Sequence, residues 1–291
     1  MTIVVSIRVN DGIVLASDSA TSFTAPDGQV VKIYNHANKI FNLVKGLPIG
    51  AMTYGNGAIG FSSISTISKD LRRRFSDRLD TDFFIDSSNY TIEKTAEKIR
   101  DYFFDQYQLA HPNPNPSYFM GYRICGYSAN SALPEAWEIG ISGSAPFGPN
   151  PLYDHADPSN IANFGPRWAG EHEALDRLIL GVGSKFPQFL IEGGQSSEVA
   201  AQAHLAVIRA LTVPLFLPAM PIQDAIDLAK FLAETAARFT HFSLRSPTVG
   251  GAIELATVTK HEGFKWVNRK HYFNAALNTR ERYEEHSANR E

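Results

Sequence analysis

The sequence predicts an α+β fold in which two mainly antiparallel sheets are stacked between layers of helices. Three observations support this prediction. Strands and helices are expected in pairs, in the order strands, helices, strands, helices, strands, without strict alternation. The 291 residues are 44% hydrophobic, which allows a sizeable core. No internal repeat or low-complexity linker divides the chain, so we expect a single domain over residues 1–291.

The N-terminal part of the chain is predicted to be rich in strands. Apolar residues alternate over residues 2–9, Asn10-Asp11-Gly12 is typical of a hairpin turn, and an apolar run resumes at Ile13. Residues 19–29 are polar and contain glycine. Two further strands are expected in NKIFNLV and PIGAMTYG, separated by a turn at Lys45-Gly46.

Two helices are predicted next. The first follows Gly57 and ends in Arg72-Arg73-Arg74, because positive charge suits the last turn of a helix. The second runs from Thr91, its N-cap, to about Gln108, with an apolar face of isoleucine, alanine and aromatic residues. The predicted helix pair therefore follows the predicted hairpins directly.

The second half of the chain repeats the order of strands, helices and strands. Strands are expected in YFMGYRICGYS and AWEIGIS, and the Pro/Gly-rich residues 143–160 are expected to form a loop. Helices are predicted at residues 170–180, 198–217 and 220–239. GGAIELATVTKHEGFKWV predicts a last hairpin, and a polar C-terminal tail begins at about residue 272.

Composition excludes several classes of function. The net charge is −3 with acidic and basic residues interspersed, so we expect no nucleic-acid partner. Cys125 is the only cysteine, which rules out an internal disulfide and favours a buried, inert thiol. The nine histidines show no metal-ligand spacing, so we expect no metal site and no catalytic histidine. Neither a signal peptide nor an apolar run of about 18 residues is present, which predicts a cytoplasmic protein without a membrane partner.

Thr2, at the head of the first strand, is open to two interpretations. A β-branched residue simply suits the start of a strand. Alternatively, removal of Met1 would give an N-terminal threonine, whose α-amine has a pKa of roughly 7.7–8.0 and can act as the base for its own hydroxyl. The small side chain of Thr2 permits that removal.

A threonine nucleophile needs charged neighbours. A lysine lowers the free energy of the alkoxide, and a carboxylate holds that lysine in place. Asp18 ends the second strand of the hairpin that starts at Thr2, so both residues are expected at one end of the same sheet. Lys39 stands at the start of the third strand.

The segments TIVVSIRVNDGIVLASDS, NKIF and GAMTYGNG resemble the opening of proteasome β-type subunits and of the related HslV and Anbu-like peptidases. These are N-terminal nucleophile (Ntn) hydrolases, so the resemblance implies a four-layer αββα sandwich. It further implies that Thr2 is the nucleophile, with Asp18 and Lys39 as the charge pair behind it. Gly55 matches the oxyanion-hole amide. Thr21 and Ser22 match an edge strand that pairs with the substrate backbone, and Gly57 is a further substrate-binding position.

The resemblance implies a threonine peptidase that cleaves peptides or unfolded proteins through an acyl ester at Thr2. It also implies self-assembly into a ring or a helical homo-oligomer, without a cofactor, and it leaves open whether an ATPase is a partner. Relative to a compact β-type subunit, residues 186–219 are a helical insertion. Two alternatives stay open. One is a non-catalytic Ntn-fold assembly protein, and the other is an amidase or peptide ligase on the same scaffold.

The chain departs from the family pattern in the residues that support the nucleophile. The family usually has a serine within Gly-Ser-Gly and an aspartate with a nearby serine. ISGSAPF imitates the first motif but is predicted to lie in a turn, and the expected counterpart, FGPRWAG, has no serine. Before Gly250-Gly251, Ser246 and Val249 stand where the aspartate and the serine are expected. These differences predict an altered environment for Thr2.

Overall fold

A computed structural model of the chain describes residues 2–25, 29–154, 160–244 and 246–270. Its first five-stranded sheet, sheet I, contains both the N-terminal hairpin and the C-terminal hairpin. All neighbouring strands in it are antiparallel, in the order β12-β1-β2-β13-β14. The strands are β1 (Ile3–Val9), β2 (Gly12–Ser17), β12 (Gly165–Gly170), β13 (Glu254–Thr259) and β14 (Gly263–Asn268).

The second five-stranded sheet, sheet II, is also antiparallel and has the order β11-β10-β9-β6-β5. Its strands are β5 (Ile40–Asn42), β6 (Ile49–Gly55), β9 (Phe119–Gly126), β10 (Glu135–Ser142) and β11 (Ala145–Pro151). The described residues also form two small two-stranded sheets: β3 (Thr21–Thr24) with β4 (Val30–Tyr34), and β7 (Ala58–Ile59) with β8 (Ser62–Ser63).

Helices cover the outer faces of the two sheets. On sheet II lie α1 (Ile64–Ser76) and α2 (Ile92–Ala110), and their apolar faces share one core with its strands. On sheet I lie α6 (Ile222–Phe242) and the short α3 (Glu173–Leu175), which continues as a π-helical segment at Asp176–Leu180. The remaining helices, α4 (Phe186–Glu192) and α5 (Ser197–Leu211), pack on each other.

Among the described residues, three apolar cores lie between these layers. One lies between α1, α2 and sheet II, one between α6 and sheet I, and the third between the two sheets. β1 shows how the sequence supports this arrangement, because its side chains alternate between the helix-facing core, at Ile3 and Val5, and the inter-sheet core, at Val4. The four-layer αββα sandwich of two antiparallel sheets is therefore confirmed.

Several sequence predictions were wrong in detail. The predicted loop at residues 143–160 contains β11, whose three prolines are tolerated because it is an edge strand of sheet II. α1 begins at Ile64 instead of just after Gly57, because β7 and β8 intervene and Ser63 caps the helix. The helix predicted at residues 198–217 ends at Leu211, six residues earlier than expected.

The predicted N-cap of α2 and the predicted burial of the cysteine are confirmed. Thr91 is the N-cap of α2, and its side chain accepts a hydrogen bond from the Lys94 amide at 3.1 Å. Cys125 is fully buried, and burial raises the pKa of its thiol to about 12. The polar tail from residue 272 lies outside the described residues. The single-domain organisation stays a prediction.

The buried tyrosines predict that the fold loses stability in alkali. Burial raises the pKa values of Tyr90 and Tyr127 to about 12, and it raises the pKa of the fully buried Tyr122 further. Above about pH 10 the unfolded chain loses protons that these groups keep in the folded protein, so the free energy of unfolding must fall as pH rises.

The urea midpoint should therefore drop between about pH 9 and pH 11. Tyr122→Phe removes one of the groups responsible and should make that drop shallower. A midpoint that stays constant over this range would contradict the prediction. Lys39 and Lys270 act in the opposite direction, because burial lowers their pKa values and stability gains as pH rises towards their unfolded value.

Candidate functional site

Thr2 is held at the end of sheet I where β1, β2 and β12 meet. Its backbone oxygen accepts a hydrogen bond from the Glu171 amide at 2.7 Å, and the residue is 4% exposed. Gly170, the last residue of β12, has φ +95°, and a Cβ there would lie 1.8 Å from the Thr2 oxygen. Only glycine lets β12 approach Thr2 this closely.

Asp18 directly follows β2 and is fully buried. Its Oδ1 accepts hydrogen bonds from the Ile3 amide at 3.1 Å and from the Lys39 ammonium at 2.6 Å. Its Oδ2 accepts from the amides of Ala20 at 3.1 Å and Gly250 at 3.0 Å. Four donors thus fix the carboxylate in one orientation.

Lys39 precedes β5, and its side chain is 6% exposed. Its backbone oxygen accepts a hydrogen bond from the Thr53 amide at 3.0 Å, which ties it to β6 of sheet II. Burial lowers the pKa of the Lys39 ammonium, and the adjacent Asp18 opposes that shift. The ion pair between Lys39 and Asp18 therefore joins the two sheets beside Thr2.

A cavity of about 610 Å³ opens in front of this ion pair. All sequence-predicted site residues line it except Asp18, which lies behind Lys39; the lining set contains Thr2, Thr21, Ser22, Lys39, Gly55 and Gly57. The remaining wall includes hydroxyl groups from the start of α1, at Ser63, Ser65 and Thr66. The structure thus brings the predicted residues together at one cavity, while their roles stay predictions.

Gly55 and Gly57 lie where β6 leaves sheet II. Gly55 has φ +83°, and a Cβ there would lie 2.5 Å from the Phe119 oxygen. Across the cavity, a Cβ built on Gly57 would lie 3.6 Å from Thr21 Oγ1. The cleft between β3 and residues 55–57 is therefore narrow.

Two of the three segments that depart from the family pattern, FGPRWAG and SPTVGG, reach the site, and ISGSAPF does not. FGPRWAG forms β12 and ends beside Thr2. In ISGSAPF, Ser142 is the last residue of β10 and Ser144 lies in the turn between β10 and β11. The amide of Gly250 binds Asp18, so SPTVGG also reaches the site. Ser246, however, is exposed, and Val249 packs in the core under α6.

Sequence reasoning missed four residues around the site. Glu171 and Gly250 act through backbone amides, which carry no side-chain signal. Glu254 and Lys270 form a further ion pair at 2.7 Å, with side chains 1% and 7% exposed. A carboxylate between Ile253 and Leu255 in an apolar strand was a usable signal, whereas nothing in the sequence marks Lys270.

Neither a candidate metal site nor a candidate membrane-spanning helix is found among the described residues. They contain no group of three or more His, Cys, Asp or Glu side chains arranged to hold a metal ion. Among the helices of the same ranges, none combines the length and the apolarity needed to span a bilayer.

The chain was compared with known proteins by sequence and by structure. No protein-family model matches the sequence, and no similar curated protein was found. Among solved structures, Anbu from Hyphomicrobium sp. strain MC1 superposes with a TM-score of 0.52 at 13% identity, covering 92% of this chain and 86% of that chain. The Anbu (Gly-1) mutant from the same organism superposes with a TM-score of 0.52 at 13% identity, covering 93% of this chain and 86% of that chain. At this identity the similarity establishes a shared fold, which is that of Anbu.

Proposed function

We propose that this chain is a proteasome-like threonine peptidase with Thr2 as its nucleophile. The observation that carries the proposal is the double contact of Asp18 Oδ1, which binds the Ile3 amide at 3.1 Å and the Lys39 ammonium at 2.6 Å. One oxygen atom thereby holds a buried cation next to the backbone of the N-terminal strand. Thr2 and Lys39 line the same cavity, and the fold is shared with Anbu.

The chemistry requires removal of Met1. As Thr2 Oγ attacks a substrate carbonyl carbon, its proton passes to the α-amine, directly or through a water molecule, and an oxyanion forms. The amide of Gly55 would stabilise that oxyanion, and Lys39 would lower the free energy of the developing alkoxide. The C–N bond then breaks, and the leaving amine takes the proton. Water hydrolyses the acyl ester with the same α-amine as base, which restores Thr2.

An extended peptide would bind along β3. Thr21 and Ser22 line the cavity, and β3 pairs with β4 and no other strand of the described ranges. Backbone hydrogen bonds from β3 to the substrate would supply affinity without sequence specificity. Gly57 forms the opposite wall of the cleft.

Gly57→Val should obstruct this cleft. The added side chain would extend towards Thr21 Oγ1, which already lies 3.6 Å from the Cβ position. We expect kcat/KM for peptides to fall by about tenfold or more, because the added side chain would keep the substrate from the geometry needed for attack by Thr2. Gly57→Ala should have a smaller effect, since 3.6 Å is an ordinary contact distance. Steady-state hydrolysis of a peptide series measures this. Equal kcat/KM values for the wild type, Gly57→Val and Gly57→Ala would argue against substrate binding along β3.

The function is tested by intact mass spectrometry of native protein before and after treatment with a β-lactone. A peptidase should lack Met1 and gain one acyl group. Retained Met1 with no adduct would support the non-catalytic assembly protein instead. An adduct on protein that hydrolyses no peptide would favour an amidase or ligase.

Self-assembly into a ring or a helical homo-oligomer belongs to the same proposal, as does a cytoplasmic location. In support, α4 and α5 expose apolar side chains: Phe189 is 69% exposed and Leu205 is 53% exposed. Within α4 and α5, only Ala200 is buried. Subunit contacts would cover this apolar surface.

A further inference from the structure

A second buried ion pair lies close to the Thr2 site and has no part in the chemistry above. Lys270 Nζ is 2.7 Å from Glu254 Oε2, and the side chains are 7% and 1% exposed. Glu254 begins β13, and Lys270 follows β14, so both come from the C-terminal hairpin.

Lys270 binds the two segments that carry Asp18 and Lys39. Its ammonium donates hydrogen bonds to Ser19 Oγ at 3.1 Å and to the Ala37 backbone oxygen at 2.7 Å. Ser19 adjoins Asp18, and Ala37 lines the cavity two residues before Lys39. The Ala37 amide donates to the backbone oxygen of Ser19 at 2.9 Å, so both segments meet at Lys270.

Four buried charges thus lie together at this end of the sheets. Asp18 comes from the end of β2, Lys39 from the start of β5, Glu254 from β13 and Lys270 from beyond β14. After burial and Asp18, the charges that act on the pKa of Lys39 are Lys270, which lowers it, and Glu254, which raises it. The pKa of Lys270 is lowered by burial first; Glu254 and Asp18 oppose this, while Arg269 adds to it.

A buried ion pair is a poor way to gain stability, because desolvation offsets much of the attraction between the charges. We propose that Glu254 and Lys270 are positioning residues for the Thr2 site, with Lys270 fixing the Asp18 and Lys39 segments and the pair balancing the buried charge. This inference rests on the proposed function. It assigns Lys270 no contact with the substrate.

The test uses the full chain with Glu254→Gln, Lys270→Met and the double variant. The rate of Thr2 acylation by a β-lactone is measured against pH. Each single variant should slow acylation by about tenfold or more, the factor that one pKa unit of differential interaction represents. Lys270→Met should raise the apparent pKa of the profile, because Lys39 loses a neighbouring cation, and Glu254→Gln should lower it. A pair with a purely structural role would not shift the two profiles in opposite directions.

The double variant leaves no unpaired buried charge, so it should fold even if a single variant does not. Its pH profile should return towards that of the wild type while its rate stays low, because the bonds from Lys270 to Ser19 and Ala37 are lost. The matched control is the partly exposed pair of Lys230 and Glu234 on α6, which lies 3.9 Å apart and in which Glu234 also pairs with Arg238. Lys230→Met and Glu234→Gln should leave rate and profile unchanged.

A second readout separates this inference from the proposed function. The pKa of Lys39 can be followed by NMR of ¹³Cε-labelled lysine, assigned with Lys39→Arg, without any probe. If wild-type Thr2 is not acylated, the proposed function fails, yet opposite displacements of the Lys39 titration would still support the charge coupling. The inference would be overturned if the Lys39 pKa moved in the same direction in both single variants, or did not move. It would also be overturned by a folded double variant that is acylated at the wild-type rate.

Discussion

Thr2→Ala should abolish both acylation by a β-lactone and peptide hydrolysis. Alanine keeps the α-amine but lacks the oxygen that forms the acyl ester, so the loss should be on the order of 10³-fold or more. Thr2→Ser keeps a hydroxyl and should retain part of the activity. Rates of probe labelling and of peptide turnover, measured on proteins whose N-terminus has been verified, test both variants.

The control for this loss is another buried threonine. Thr95 lies in α2, where its hydroxyl donates to the Thr91 oxygen at 2.8 Å, and it does not line the cavity. Thr95→Ala should cost some stability and leave the labelling rate unchanged. Labelling that persists in Thr2→Ala would mean that another residue is the nucleophile.

Gly170→Ala should disturb both the fold and the site. A Cβ at this position would lie 1.8 Å from the Thr2 oxygen, and the backbone has φ +95°. The collision and the left-handed backbone together should cost about 2–4 kcal/mol of unfolding free energy. Thr2 would also have to move, so acylation should slow by about tenfold or more. Urea unfolding and probe labelling measure the two effects.

Gly194→Ala is a matched control for backbone strain. Gly194 has φ +92°, and a Cβ there would meet nothing within 4 Å. This variant should show only the cost of the left-handed conformation, about 1–2 kcal/mol, with normal acylation. If both variants behaved alike, the close approach of β12 to Thr2 would not matter for the site.

The sequence predicted those elements whose local signals agree with their place in the fold. The β1–β2 hairpin has both apolar alternation and a turn tripeptide, and α2 has an N-cap and an apolar face. β11 escaped prediction because Ala145–Pro151 contains three prolines, which are permitted only by its edge position. Edge position is a property of the assembled sheet, so no local pattern reveals it.

The same distinction applies to the candidate site. Thr2, Asp18 and Lys39 lie within about forty residues of one another and at predictable strand ends, so they could be placed together from the sequence. Gly250 and Lys270 reach the same region from the other end of the chain through the pairing of β13 with β2. That register depends on long-range packing, which neither composition nor periodicity specifies.

The most direct test of the central claim is tandem mass spectrometry of the N-terminal peptide from β-lactone-treated native protein. The account predicts a peptide that begins at Thr2, with a free α-amine and the acyl group on Oγ of that residue. A peptide that still begins at Met1, or an acyl group on any other residue, would contradict it.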